Sequence, residues 1–155
     1  MKKILFILLF SIYSYMLAAG LNSYTNIRFN FSAKYPNIFT DKLKSDNGDG
    51  ITLTNKRKAL KVLFYGRFNN ANNSIKAEYK NNINNINKNN KKEITYSTQK
   101  KNWYILSGYD HTQNKIFYTK TFLVNDKFIT YYIEYPSKDK QSYDNLITTI
   151  NRNFK

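Results

Sequence analysis

Residues 59–67 constrain the fold of this chain most, because they form a predicted strand that is apolar on both of its faces. Side chains alternate along a strand, so Leu60, Val62 and Phe64 share one face while Leu63 and Tyr65 share the other. Such a strand is typical of the centre of a sheet that is covered above and below. The chain therefore predicts a layered fold around a buried sheet.

Further alternating segments predict an antiparallel sheet. The other predicted strands are residues 24–35, 51–55, 93–99, 103–110, 116–124 and 128–135. Residues 38–50 are predicted to be a loop. Asn125 and Asp126 suit a tight primed hairpin turn, which requires positive φ angles. The last four strands are therefore expected to form a meander.

Two helices are predicted from apolar stripes with spacings of three and four residues. The first stripe is Ile75, Tyr79, Ile83 and Ile86, with Asn73 or Ser74 as its cap. The second is Tyr143, Leu146, Ile147, Ile150 and Phe154, with Ser137 or Asp139 as its cap. The predicted core residues are Leu63, Phe64, Trp103, Leu106, Phe122, Ile133, Leu146 and Ile150.

The first 20 residues have the layout of a secretory signal peptide. Lys2 and Lys3 precede an apolar run that ends in the small residues Ala18, Ala19 and Gly20. The run is shorter than the roughly 20 apolar residues of a spanning helix, so cleavage after Ala19 is preferred to a retained anchor. Residues 1–19 are thus expected to be removed, leaving one domain over residues 20–155. The protein is expected to be periplasmic or secreted, with no remaining transmembrane segment.

Composition limits the chemistry that the chain can perform. It has no cysteine, so disulfides, thiol nucleophiles and thiolate metal sites are excluded. The formal charge is +15, which becomes +13 when Lys2 and Lys3 are lost. Such an excess favours association with anionic surfaces. Only Arg28, Arg57 and two other bases are arginine, which argues against specific nucleic-acid recognition.

Four parts of the chain follow one another in a recognisable order, namely residues 24–36, residues 47–53 with 60–66, residues 103–110 with 115–122, and residues 133–136 with the closing helix. This order resembles that of small exported bacterial proteins with a PsbP-like fold. The resemblance implies an α+β sandwich of six to seven antiparallel strands with helices on both faces. It also implies an accessory or binding role rather than an enzymatic one, and it carries over no catalytic residues.

The densest basic cluster is Lys56, Arg57, Lys58 and Lys61, which is the candidate anion-binding patch. It would contact an anionic envelope component or an acidic protein partner. The alternative interpretation is that lysines at turns and edges serve solubility and edge protection. The same two interpretations apply to the sheet tyrosines, which could stack on bases or sugars but more commonly pack across strands.

No catalytic, cofactor or metal site is predicted. Residues 46–51 resemble part of a calcium loop, but Ser45 and Lys56 stand where acidic ligands are needed. Asp110 and His111 could form an acid–base pair only if their side chains converge. Asp110 with Glu134 is a possible carboxylate pair that the sequence gives no reason to prefer.

These observations predict an exported, non-enzymatic accessory or binding protein of the cell envelope. The alternative is a small enzyme that acts on an anionic envelope substrate through Asp110 and His111. A third class is an assembly factor that contacts its partner through a sheet edge.

Overall fold

The computed structural model describes residues 20–88 and 90–154, which form nine strands and two α-helices. The strands are β1 (Leu21–Asn26), β2 (Phe31–Pro36), β3 (Asp41–Lys44), β4 (Gly50–Asn55), β5 (Leu60–Phe68), β6 (Lys92–Gln99), β7 (Trp103–Asp110), β8 (Lys115–Val124) and β9 (Lys127–Pro136). The helices are α1 (Ile75–Lys88) and α2 (Lys140–Asn153). Within these residues neither helix has the length and apolar character needed to cross a membrane.

The strands form a seven-stranded antiparallel sheet and a separate hairpin of β1 and β2. The order in the large sheet is β3-β4-β5-β9-β8-β7-β6, so β5 and β9 lie at its centre. The predicted α+β class, the predicted six to seven strands of the antiparallel sheet and the β6–β9 meander are confirmed. The primed turn between β8 and β9 is also confirmed, because φ is 45° at Asn125 and 58° at Asp126.

The larger of two core clusters lies against α2. It unites apolar side chains of β2, β4, β5 and β9 with the buried face of α2, including Leu146 and Ile150. Phe64 and Phe154 stack with a centroid distance of 5.5 Å, and Tyr131 meets Phe154 edge-on at 5.1 Å. Phe154, which directly follows α2, therefore anchors the end of the helix to the centre of the sheet, and the helix itself packs on β2 and β9.

The smaller cluster lies against α1, which packs on β6 and β7. Its fully buried members are Ile75, Tyr104, Leu106 and Phe128, and the predicted stripe residues Tyr79, Ile83 and Ile86 pack around them. The Ser74 hydroxyl caps this helix by accepting a hydrogen bond from the Ala77 N–H at 3.2 Å.

Three expectations from the sequence differ from the structure. Residues 24–35 are a hairpin rather than one strand, and Ile27 in its turn is 91% exposed. The turn forms because the buried Asn26 side chain accepts a hydrogen bond from the Phe29 N–H at 2.9 Å. The expected loop 38–50 contains the short edge strand β3, whose four residues are all exposed. Of the predicted core residues, three are only half-buried, namely Leu63, Trp103 and Phe122. The predicted signal peptide, residues 1–19, lies outside the described residues.

Candidate anion-binding site

The basic turn, defined here as Lys56, Arg57 and Lys58, is a single 3-10 turn that joins β4 to β5. The buried Asn55 side chain holds it in place. Its amide oxygen accepts a hydrogen bond from the Lys58 N–H at 3.1 Å, and its amide nitrogen donates to the Ile38 carbonyl at 2.6 Å. Ala59 closes the turn in the left-handed region, with φ of 48°. The three cations are therefore presented on an ordered backbone.

The charges of the basic turn are weakly compensated. All three side chains are exposed. Lys56 lies 3.8 Å from Asp41, and the Lys56 side chain remains 82% exposed in that pair. Arg57 and Lys58 form no ion pair with any residue in the described ranges. This turn thus carries a local excess of positive charge that faces solvent.

Lys61, the fourth residue of the predicted patch, has a different environment. It lies on β5 and pairs in register with Glu134 on β9, at the centre of the sheet. Its side chain is half-buried, and its charge helps to lower the pKa of Glu134. The structure therefore brings three of the four predicted residues together on one turn and places Lys61 beside a carboxylate.

A network of paired charges surrounds Glu134 on the same sheet face. Lys115 Nζ lies 3.0 Å from Glu134 Oε1, and the Tyr132 hydroxyl donates to Oε2 at 3.0 Å. Burial raises the pKa of Glu134, but the hydrogen bond and charge of Lys115, the Tyr132 hydroxyl and the charge of Lys61 together outweigh it. The pKa of Glu134 therefore lies below its ordinary value, and these lysines already have an anionic partner.

Lys92 extends this network towards β6. Its ammonium group lies 3.9 Å from the Asp110 carboxylate and 5.2 Å from the ring centroid of Phe117. The ammonium group of Lys92 interacts with both a carboxylate and an aromatic ring. Lys92 therefore covers apolar sheet surface rather than presenting a free cation.

Asp110 and His111 contact different partners. Asp110 Oδ1 accepts hydrogen bonds from the Thr112 hydroxyl at 2.7 Å and from two backbone N–H groups of the β7–β8 turn. The Thr112 hydroxyl is the main reason that the pKa of Asp110 is lowered, and burial opposes it. His111 Nε2 lies 3.0 Å from the Glu93 carboxylate, with both side chains largely exposed. Asp110 thus shapes a turn, and it is Glu93 that faces the imidazole.

The loop that resembles part of a calcium site is organised by Arg28. The Arg28 guanidinium lies 2.8 Å from Asp49 Oδ1, while Asn47 donates to Asp49 Oδ2 at 2.6 Å. A protein cation therefore occupies the acidic side of this loop. Among the described residues, no three acidic or histidine side chains lie together in the manner of a metal site.

Comparison with known proteins identifies the fold. No protein-family model and no curated protein matches the sequence. The solution structure of cyanobacterial PsbP (CyanoP) from Synechocystis sp. PCC 6803 matches with a TM-score of 0.66 and 10% identity, over 88% of this chain and 92% of that chain. The crystal structure of the Saccharomyces cerevisiae Ran-binding protein Mog1p matches with a TM-score of 0.61 and 10% identity, over 89% and 96%. The protein has a PsbP-like fold, as its sequence predicts, and at this identity the likeness concerns the fold alone.

Proposed function

We propose that this protein is an exported, non-enzymatic binding or accessory protein of the cell envelope that contacts anionic partners through the basic turn. The observation that carries the proposal is the exposure of three consecutive cations on an ordered backbone. The one carboxylate paired with them is Asp41, which lies 3.8 Å from Lys56. Elsewhere on the sheet, Lys92 and Lys115 are paired and half-buried. The basic turn therefore offers a partner three consecutive exposed cations, whereas exposed lysines elsewhere in the described residues stand singly or in pairs, such as Lys100 and Lys101.

The proposed contact is electrostatic and of low geometric selectivity. Lysine ammonium groups are hydrated point charges, and only Arg57 offers the planar donor fork that favours bidentate recognition. An anionic envelope component or an acidic protein surface satisfies this chemistry, whereas sequence-specific nucleic-acid recognition needs more arginine than the turn offers. The periplasmic or secreted location in this proposal rests on the sequence of residues 1–20.

An enzymatic role for Asp110 and His111 has less support. A general base must lie within hydrogen-bonding reach of the proton that it abstracts, and the predicted pair requires Asp110 to orient His111. The Asp110 carboxylate is engaged by the backbone of its own turn, and the His111–Glu93 pair is exposed on the surface. We therefore keep the binding role as the proposal.

We further propose that α1 and α2 cover opposite faces of the seven-stranded sheet, as in an α/β/α sandwich. Neighbouring residues on a strand point to opposite faces. Phe128 packs in the cluster of α1, and the next residue, Ile129, packs in the cluster of α2. In this arrangement the turns at the strand ends stay accessible to partners, and the basic turn is one of them.

The test compares two variants that lose the same charge. The first changes Lys56, Arg57 and Lys58 to glutamine, and the second changes the exposed α1 residues Lys76, Lys80 and Lys88 to glutamine. Binding is measured by sedimentation with phosphatidylglycerol vesicles and, in a second arm, with an acidic polysaccharide. The turn variant should lose most of the binding in at least one arm, and the helix variant should lose little.

Two further binding measurements extend this test, one over a series of salt concentrations and one with the variant Lys61→Gln. Charges at the surface are screened over about 10 Å at 0.1 M salt, so wild-type binding should fall steeply as salt rises. Lys61→Gln should have a smaller effect than the turn variant, because Glu134 already faces that charge. Equal binding by the two triple variants would show that only net charge matters and would refute the basic turn as the contact.

A further inference from the structure

A groove of about 380 Å³ lies between α2 and the part of the large sheet that is formed by β6, β7, β8 and β9. The helix contributes one face to it, because residues four apart on a helix lie on the same side. That face carries Lys140, Asp144 and Thr148. The volume falls in the range of roughly 300–1,000 Å³ that is typical of small-molecule sites.

The sheet side of the groove follows from the strand register. Tyr96 on β6 pairs with Ser107 on β7, and Ser107 pairs with Tyr118 on β8. All three line the groove. Neighbouring strands lie about 4.8 Å apart, so the backbones of the two tyrosines are about 10 Å apart across the small serine. Tyr118 is held by stacking on Tyr131, with a centroid distance of 5.6 Å. Two aromatic side chains therefore flank a slot with a serine at its base.

The next row of the sheet adds a buried tyrosine whose hydroxyl has no partner in the described part of the chain. Tyr109 on β7 pairs with Ile116 on β8, and Ile116 pairs with Tyr135 on β9. Tyr135 is 2% exposed, and its hydroxyl forms no hydrogen bond with residues 20–88 or 90–154. Every fully shielded side-chain oxygen or nitrogen in these residues has a partner, so the hydroxyl must be the accessible end of Tyr135. Because Tyr135 lines the groove, this polar group is available to a ligand there.

The charged groups of the groove compensate each other. Lys140 Nζ lies 3.5 Å from Asp144 Oδ2, and the other lining residues are uncharged. Burial, followed by the charges of Asp144 and Tyr109, raises the pKa of Tyr135 to about 12. The Tyr135 hydroxyl therefore stays protonated at neutral pH and can both donate and accept a hydrogen bond. In a chain with a formal charge of +15, this groove carries no net charge.

This chemistry selects a neutral ligand with an apolar face and a polar edge. The face of a pyranose ring presents C–H groups that pack on aromatic rings, and Tyr96 is 54% exposed. The hydroxyls of a sugar can donate to the Asp144 carboxylate and accept from Tyr135. An ion of either sign would meet a like charge at the Lys140–Asp144 pair. We propose that the groove is a binding site for a neutral saccharide, with its ring between Tyr96 and Tyr118 and its hydroxyls on Tyr135 and Asp144.

This site differs from the basic turn in place and in chemistry, and the inference does not depend on the proposed function. A neutral ligand has no net charge for salt to screen. Its affinity should therefore stay constant between about 0.05 M and about 0.5 M salt, whereas binding at the basic turn should fall. Loss of anion binding in the turn variant and loss of saccharide binding in a groove variant are independent results.

Calorimetry and saturation-transfer NMR with two neutral trisaccharides, triacetylchitotriose and cellotriose, test the proposal. Wild-type protein should bind at least one of them at millimolar concentration. Tyr135→Phe removes only the hydroxyl and should weaken this binding about fivefold or more. Its melting temperature should not fall, because no described protein group loses a hydrogen bond. Tyr143→Phe is the matched control, since Tyr143 packs on the Tyr135 ring at 4.9 Å but does not line the groove, and it should bind like wild type.

A second pair of variants tests the aromatic contact. Tyr96→Ala should abolish saccharide binding, because it removes the exposed ring at one side of the slot. Leu43→Ala truncates an exposed apolar side chain on β3, the opposite edge strand, and should leave binding unchanged.

Four results would overturn the proposal. They are an absence of binding of both trisaccharides by wild-type protein at about 10 mM, wild-type affinity in either groove variant, an equal loss in a groove variant and its control, and an affinity that falls with salt.

Discussion

The two core clusters differ in the number and type of their buried residues, although both include strands of the same sheet. The cluster against α2 contains 19 buried apolar residues, many of them aromatic, whereas the cluster against α1 contains four. Helix α2 buries Tyr143, Leu146 and Ile150, while α1 buries Ile75 and the charged Glu78. Since buried apolar area is the main source of folding free energy, the two helices should differ in how firmly they are held.

A network of polar side chains adjoins the smaller cluster, next to α1. Glu78 forms an ion pair with Arg67 on β5, and the Arg67 guanidinium lies 4.3 Å from the ring centroid of Phe128. Asn82 donates to Glu78 Oε1 at 2.7 Å. Charge is therefore an internal component of the α1 cluster. The α2 cluster includes no fully buried charged residue, and the cations of the basic turn beside it are exposed.

The largest expected effect comes from truncating one isoleucine in each cluster. Ile150→Ala in α2 should reduce the free energy of unfolding by about 3–5 kcal/mol, because its side chain is fully buried among rigid rings. Ile75→Ala at the start of α1 should cost about 2–3 kcal/mol, because the smaller cluster can relax around the cavity. Urea unfolding curves measure both values. A larger loss at Ile75 would show that the α1 cluster is the better packed of the two.

Neutralising the buried charge is expected to have an intermediate effect. Glu78→Gln should cost about 1–2 kcal/mol, because it leaves Arg67 over Phe128 without its carboxylate while the partly exposed guanidinium can reach water. Hydrogen exchange should then quicken along α1 and stay unchanged along α2. Asp144→Asn is the matched control, since it breaks only the exposed pair with Lys140 and should cost less than about 0.5 kcal/mol. Equal effects of the two changes would contradict an internal role for Glu78.

The difference between the clusters also explains what the sequence predicts well. Apolar stripes at the correct period identified α1, α2 and the central strands, because long elements that bury one face must repeat their apolar residues. The sequence does not predict the β1–β2 hairpin, because Ile27 and Phe29 continue the alternation of a strand although Ile27 is exposed in the turn. The sequence does not predict strand β3 either, because its exposed residues carry no apolar pattern and only backbone pairing with β4 defines it.

The candidate site could be predicted in part for a similar reason. Three adjacent cations at a predicted turn mark the basic turn directly in the sequence. The role of Asn55 could not be predicted, because its partner Ile38 comes from a distant segment. The environment of Lys92 cannot be predicted either, since it combines the Asp110 carboxylate from β7 with the Phe117 ring from β8. Local pattern thus locates exposed charge, while the environment of a half-buried charge depends on tertiary contacts.

Asp110, which organises the turn at the end of β7, should make a smaller contribution to the free energy of unfolding. A series of measurements at acidic pH should reveal it. The folded-state pKa of Asp110 lies below its ordinary value, so the carboxylate stabilises the fold at pH values above that ordinary value. This stabilisation should disappear as the pH falls through the lowered, folded-state pKa. Asp110→Asn should therefore cost about 1 kcal/mol at neutral pH and nothing where Asp110 is already protonated. Urea unfolding of both proteins over an acidic pH series measures this, and a constant difference between them would mean that the carboxylate charge is irrelevant.

The smallest effect is expected where charge lies outside the larger cluster. Leu53 and Leu60, on either side of the basic turn, belong to that cluster, but the three turn cations are exposed. Changing Lys56, Arg57 and Lys58 to glutamine should therefore alter the free energy of unfolding by less than about 0.5 kcal/mol. Asn55→Ala, which removes the buried clamp of the same turn, should cost about 1–2 kcal/mol. If the triple variant proves as unstable as Asn55→Ala, the turn cations support the fold, and the contrast between a cluster with internal charge and one without it does not hold.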